Sequence, residues 1–178
     1  MRFREGAGRL CLDYIRTLRH GTVEELPDAT AVAAWAEQFG PFGAVAIPRE
    51  ERRAEEARQL RESIRSLIDS ARQATPCPAA ARRTVNAAAA VAPPAPALAA
   101  DARLLWRADD PILATLSLVA RDALDLVASP LLARVRQCAG TACGALFIDA
   151  SRPGVRRWCS MNTCGNRAKK ETIKARQL

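Results

Sequence analysis

Four cysteines in the last quarter of the chain, Cys138, Cys143, Cys159 and Cys164, are spaced as Cys-x4-Cys, fifteen intervening residues, then Cys-x4-Cys. A tetrahedral zinc ion needs four such ligands at about 2.0 to 2.3 Å, and a short local pair lets one tight turn aim two sulfurs at one ion. Two symmetric pairs in a polar segment point to zinc held by Cys138, Cys143, Cys159 and Cys164. A redox pair is the main alternative, but thiol oxidoreductases favour Cys-x-x-Cys in a βαβ setting that this chain lacks. Buried, unliganded thiols are the remaining reading, and so polar a segment weighs against it. Four cysteine ligands leave no position for a substrate, so the expected ion, one per chain, is structural and supplies folding energy to a module too small for its own core.

The neighbouring residues extend this frame. In "CAGTACG", Gly140 and Gly144 stand where a metal knuckle needs backbone freedom and close approach to sulfur. "ALFID" and "VRRWC" read as strands bracketing the turn sequence "ASRPG", so a hairpin is expected to carry the chain from the first pair to the second. From about Thr163 the sequence turns helical through "NRAKKETIKARQ", which puts Cys164 in a first helical turn, where a thiolate is favoured. Knuckle, hairpin and helix together predict a treble-clef-like zinc module. Arg156 and Arg157 are positioned to offset the formal charge of −2 that four thiolates leave around Zn²⁺.

Charge sets the same segment apart. The chain of 178 residues has a net charge of +8, and Arg134 to Leu178 hold ten Lys or Arg against two acids, so the preceding residues balance to zero. A neutral body carrying a basic tail points to a polyanionic partner.

The rest of the chain reads as helices. Leu10, Tyr14, Thr17 and Leu18 fall at helical spacing, with Gly21 as a stop. Asp28 caps a second helix whose stripe includes Val32 and Trp35, followed by Gly40. "PREERRAEEARQLRESIRSLIDSARQA" is a longer one, with Leu60, Ile64, Leu67, Ile68 and Ala71 on one face, acids at its start and Pro76 and Pro78 at its end. "AAARRTVNAAAAVA" is another, stopped at Pro93. Leu98 and Leu104 to Trp106 flank an Ala-Asp turn and predict a short hairpin. Asp109 or Asp110 with Pro111 then starts a helix with an apolar face through Ile112, Leu116, Val119, Ala120, Leu124 and Val127, expected to be the most buried. Ser129-Pro130 breaks the chain. The fold class is therefore mainly α: a multi-helix amino-terminal domain with a small hairpin, residues 1–130, and a four-cysteine finger, residues 131–178.

"RVRQCAGTACGALFIDASRPGVRRWCSMNTCGNRAKK" resembles the CGNR zinc finger family, whose defining string is here Cys164, Gly165, Asn166 and Arg167. "LCLDYIRTL" and "AVAAWAEQFG" resemble the helical ABATE domain that commonly precedes such fingers, with Arg16 where that family tends to have Asn. The resemblance implies a stress-induced transcription regulator.

If the last helix starts near Thr163, Arg167, Lys170 and Lys174 share one stripe, with Asn166 and Lys169 on its flank. Arg can read guanine or clamp phosphate, Asn can pair with adenine, and Lys supplies point charges. Arg156, Arg157, Asn166, Arg167, Lys169, Lys170 and Lys174 are accordingly the candidate nucleic-acid contacts, with DNA favoured over RNA. Asn166 and Arg167 have a second reading, as hydrogen-bonding members of the finger's scaffold. Trp158 either stacks on a base or, the stronger reading, fills the space between hairpin and helix. The expected function is a zinc-dependent nucleic-acid-binding regulator whose helical domain senses a small-molecule effector or mediates assembly, such as a homodimer. The alternative is an adaptor whose finger docks on an acidic partner protein.

No enzyme is expected. His20, alone in its type, has no ligand-spaced companion, Asp13 beside Tyr14 is a lone carboxylate, and no phosphate loop, dinucleotide fingerprint or nucleophile elbow occurs. Cys11 reads as core and Cys77 as loop. No secretory signal or membrane span is legible, since Val85 to Ala100 is Ala-rich and broken by prolines, so a cytoplasmic protein with no membrane partner is expected.

Overall fold

Helix α5 (Pro111–Ala128) is the axis of the helical body. Its start is fixed by Asp110, whose side chain accepts the Leu113 N–H at 2.9 Å, and by Pro111, whose missing N–H costs nothing in a first turn. Ile112, Leu116, Val119 and Ala120 are buried and Leu124 and Val127 partly so, which lets α5 pack against four other helices.

The computed structural model describes residues 2–43 and 52–175. Helix α1 (Leu10–Ile15) lacks a side-chain cap of its own and borrows one, the Cys11 N–H donating to Asp122 of α5 at 2.8 Å. Arg9 clamps the same carboxylate and Asp125. The helix is shorter than the apolar spacing suggests. Thr17 donates its hydroxyl back to the Tyr14 carbonyl, and Leu18–Arg19 (β1) pairs with Val23–Glu24 (β2). His20 and Gly21, at φ 57° and 72°, form the turn, so this glycine shapes a hairpin and does not stop a helix. Arg61 holds both oxygens of Glu24 at 2.6 Å and fixes β2 against helix α3 (Arg52–Arg72).

Helix α2 (Ala29–Phe39) begins as expected at Asp28, which accepts the Ala31 N–H at 2.9 Å. Its Trp35 lies edge-on to Tyr14 and stacks on Phe39. Helix α3 is Arg52–Arg72; the first residues of its signal, Pro48 to Glu51, lie outside the described ones. It ends before the prolines, at a left-handed Ala74 whose neighbour Thr75 donates back to the Ser70 carbonyl. Helix α4 (Ala79–Ala90) seats Ala81 and Val85 between α3 and α5. The expected hairpin follows as β3 (Ala95–Leu98) and β4 (Leu104–Arg107), with Pro96 opposite Trp106 and Leu98 opposite Leu104.

A 3₁₀ turn at Pro130–Arg134 leads into the finger, made of β5 (Val135–Gln137), β6 (Leu146–Ile148) and α6 (Asn166–Ala175). Here the strand pairing differs from the sequence reading. β6 pairs with β5, so the hairpin flanks the first cysteine pair, and residues 155–158 form no strand. The outer edge of β6 is already taken, because the Ile148 N–H donates to the Ala7 carbonyl at 2.7 Å. Asp13 holds that amino-terminal segment in place by accepting the Ala7 N–H at 2.9 Å. Body and finger thus share one buried cluster, running from Phe3 and Leu12 to Leu146 and Phe147. No helix among the described residues is long and apolar enough to cross a membrane.

Candidate metal centre

The first knuckle is built by the β5–β6 hairpin, in which Cys138 N–H donates to the Ala145 carbonyl and Cys143 N–H to that of Gly140. The second pair sits at the start of the last helical segment. A wide π-type turn, Met161–Gly165, opens on Ser160, whose hydroxyl accepts the Thr163 N–H, and places Cys164 in the first turn ahead of α6.

These turns bring Cys138, Cys143, Cys159 and Cys164 together with every Sγ within 4.8 Å of the others. Two of the separations, Cys143 to Cys159 and Cys159 to Cys164, are 3.7 Å. A ZnS₄ tetrahedron with Zn–S near 2.3 Å has edges of about 3.8 Å, whereas a disulfide requires about 2.05 Å. The donor set, its spacing and its burial fit one structural zinc ion and do not fit a disulfide pair.

Burial pushes the free Cys159 thiol well up and that of Cys164 up to about 11, because a thiolate is poorly solvated there. Burial opposes charge on Cys138 as well, but N–H groups of Cys159 and Gly140 aimed at its sulfur hold that thiol below the ordinary value. Bound zinc would supply the positive charge that lets all four thiolates coexist. Cys11 is different: burial against Asp122 pushes its thiol far up, which suits the inert core position expected of it. Cys77 is half-buried beside the Pro78 carbonyl.

Two glycines serve the cluster differently. Gly144, at φ 59°, makes the turn into β6. Gly140 stands within the sulfurs, where a Cβ would lie 3.2 Å from Cys143 Cβ and 3.6 Å from Cys138 Sγ.

The basic residues divide into two groups. Arg156 is committed to the finger: its Nε donates to the Trp158 carbonyl, its Nη2 to that of Cys159, and its guanidinium lies over Phe147. Arg157, Arg167, Lys169, Lys170 and Lys174 are exposed, and none has an ion-pair partner among the described residues. Arg157 lies over the Trp158 ring at 5.1 Å. Asn166 is also exposed and donates to the Asn162 carbonyl one turn back, at 3.3 Å. Trp158 is half-buried against the helix start, where a Cβ on Gly165 would come within 3.3 Å of its ring.

Sequence reading passed over Asp149. Fully buried, it accepts the Ser151 N–H and hydroxyl on one oxygen and the Arg156 N–H on the other, organising the loop between the cysteine pairs. These donors, led by the Ser151 hydroxyl, hold its carboxyl below the usual range. The Asp-x-Ser spacing of an Asx turn was the available signal.

A helical body joined to a four-cysteine finger defines the class: a zinc-finger protein of mainly α fold. Residues 8–130 match the ABATE family, described as "Putative stress-induced transcription regulator", and residues 134–177 match the CGNR zinc finger. The chain belongs to the ABATE family. No curated protein matches the sequence.

Proposed function

We propose that the chain is a zinc-dependent DNA-binding transcription regulator in which the finger, residues 131–178, supplies the contact and the helical body, residues 1–130, senses a small-molecule effector. The observation that carries this reading is the uncompensated cationic face of the finger. Arg167, Lys170 and Lys174 follow one another at i, i+3 and i+7 on α6, with Lys169 beside them and Arg157 adjacent on the loop. Exposed Arg and Lys without ion-pair partners among the described residues are free to replace condensed counterions on a phosphate backbone. The zinc ion acts at one remove, fixing the loop and helix start that carry this face, and the chain is read as a binding protein and not a catalyst.

Five such cations give the test its magnitude. For duplex DNA the logarithm of affinity should fall against the logarithm of salt concentration with a slope of about −4 to −5. Fluorescence anisotropy across a salt series measures it, with single-stranded RNA as a comparison and a chelator-treated sample as control. Binding at low salt that disappears with the zinc is expected; no binding to either nucleic acid at low salt overturns the reading.

A further inference from the structure

Between the helical body and the first cysteine knuckle lies a cavity of about 460 Å³, within the range of sites that hold small organic ligands. One wall is the body, contributing Arg4, Arg16, Arg19, Arg61 and Arg65; the opposite wall is the knuckle, Thr141 to Ala145. Glu62 is the one carboxylate in the lining among the described residues, and His20 also lines it.

Five arginines facing one carboxylate would be a poor arrangement unless they were held. Four of them are held by carboxylates. Asp13 binds Arg16, Glu25 binds Arg19, Glu24 and Glu62 bind Arg61, and Asp69 binds Arg65. All of these except Glu62 lie outside the cavity lining. Arg61 is spent by these contacts, since all three of its nitrogens are engaged. The others are not. Arg4 makes no hydrogen bond or ion pair among the described residues, Arg65 uses its Nε alone, and Arg16 and Arg19 each use Nη1 alone. The counter-carboxylates therefore neutralise the cluster for folding while leaving N–H groups unused on residues that line a ligand-sized space. Guanidinium edges of this kind match carboxylate and phosphate oxygens two at a time.

We infer that this cavity binds a small organic oxyanion, a polycarboxylate or a phosphate ester, clamped between body arginines and the zinc knuckle. The inference rests on the sensor reading of the body and supplies its ligand class. Because one wall is the loop that carries Cys143, ligand and zinc each favour the same docked arrangement, and their affinities are reciprocally linked.

Calorimetric titration of the full zinc-loaded chain tests this without nucleic acid, so a failure here is distinguishable from a failure to bind DNA. Citrate and inorganic pyrophosphate serve as probes at constant ionic strength, and whichever binds separates the carboxylate source from the phosphate source. Arg4→Ala removes an arginine that no internal contact depends on and should weaken binding at least about tenfold. Arg82→Ala, an equal loss of charge on the exposed face of α4, should leave it unchanged. Chelating the zinc should weaken it too. The inference is overturned if neither probe saturates the wild-type chain at millimolar concentration, if Arg4→Ala binds as wild type, or if Arg82→Ala loses as much affinity.

Discussion

Gly140 occupies a position where no other residue fits without movement. With a Cβ 3.2 Å from Cys143 Cβ, Gly140→Ala must push the two sides of the knuckle apart by a few tenths of an ångström. Overpacking of that size costs about 1 to 3 kcal/mol, so zinc affinity should fall by roughly five- to 150-fold, measured by competition with a chromogenic chelator. An unchanged zinc affinity would mean that the knuckle flexes freely. At this scale the cysteines were legible because metal ligands are marked by type and spacing alone. Arg156 and Asp149 were not: a surface cation and a scaffold cation look identical in sequence. What decides between them is the orientation of carbonyls at Trp158 and Cys159, which forms only when the loop closes.

Among the elements, helices were read most faithfully, because caps and apolar stripes are local. Asp28 illustrates this. Asp28 is itself exposed, and its carboxylate satisfies the Ala31 N–H with no tertiary partner among the described residues to share the effect. Asp28→Ala should therefore cost about 1 kcal/mol and lower the melting temperature by about 2 to 4 °C, followed by circular dichroism. A shift much beyond that would reveal a contact of Asp28 other than the cap. Strand pairing was read less well, since a strand's partner is decided at long range. "VRRWC" has strand-forming residues, yet β6 offers it no edge once β5 holds one side and Ala7 the other. The first helix fails similarly: Leu18 has the right spacing for α1, but the ion pair of Glu24 with Arg61, 37 positions along the chain, draws it into a hairpin.

At the scale of the molecule, the amino-terminal segment is what makes body and finger one structure. Its Ala7 carbonyl continues the ladder of β6, and Gly8 lies so close that a Cβ there would meet Ile148 Cβ at 2.9 Å. Gly8 is also at φ 93°, where a side chain is strained whatever the space. Nothing in the charge asymmetry anticipates this, because a neutral body and a basic tail could equally be joined by a loose linker. The docking has a thermodynamic signature. In the zinc-loaded wild type, loss of helix and release of zinc should occur in one transition, since unfolding either part exposes Leu146, Phe147 and Ile148 to water. Gly8→Ala adds contact with Ile148 and backbone strain at once, together about 2 to 4 kcal/mol, all charged to the interface. The two events should then separate, zinc release monitored by a metallochromic dye moving to lower temperature than helix loss by circular dichroism. If both shift together in Gly8→Ala, the segment supports the body alone and the finger is held by other contacts.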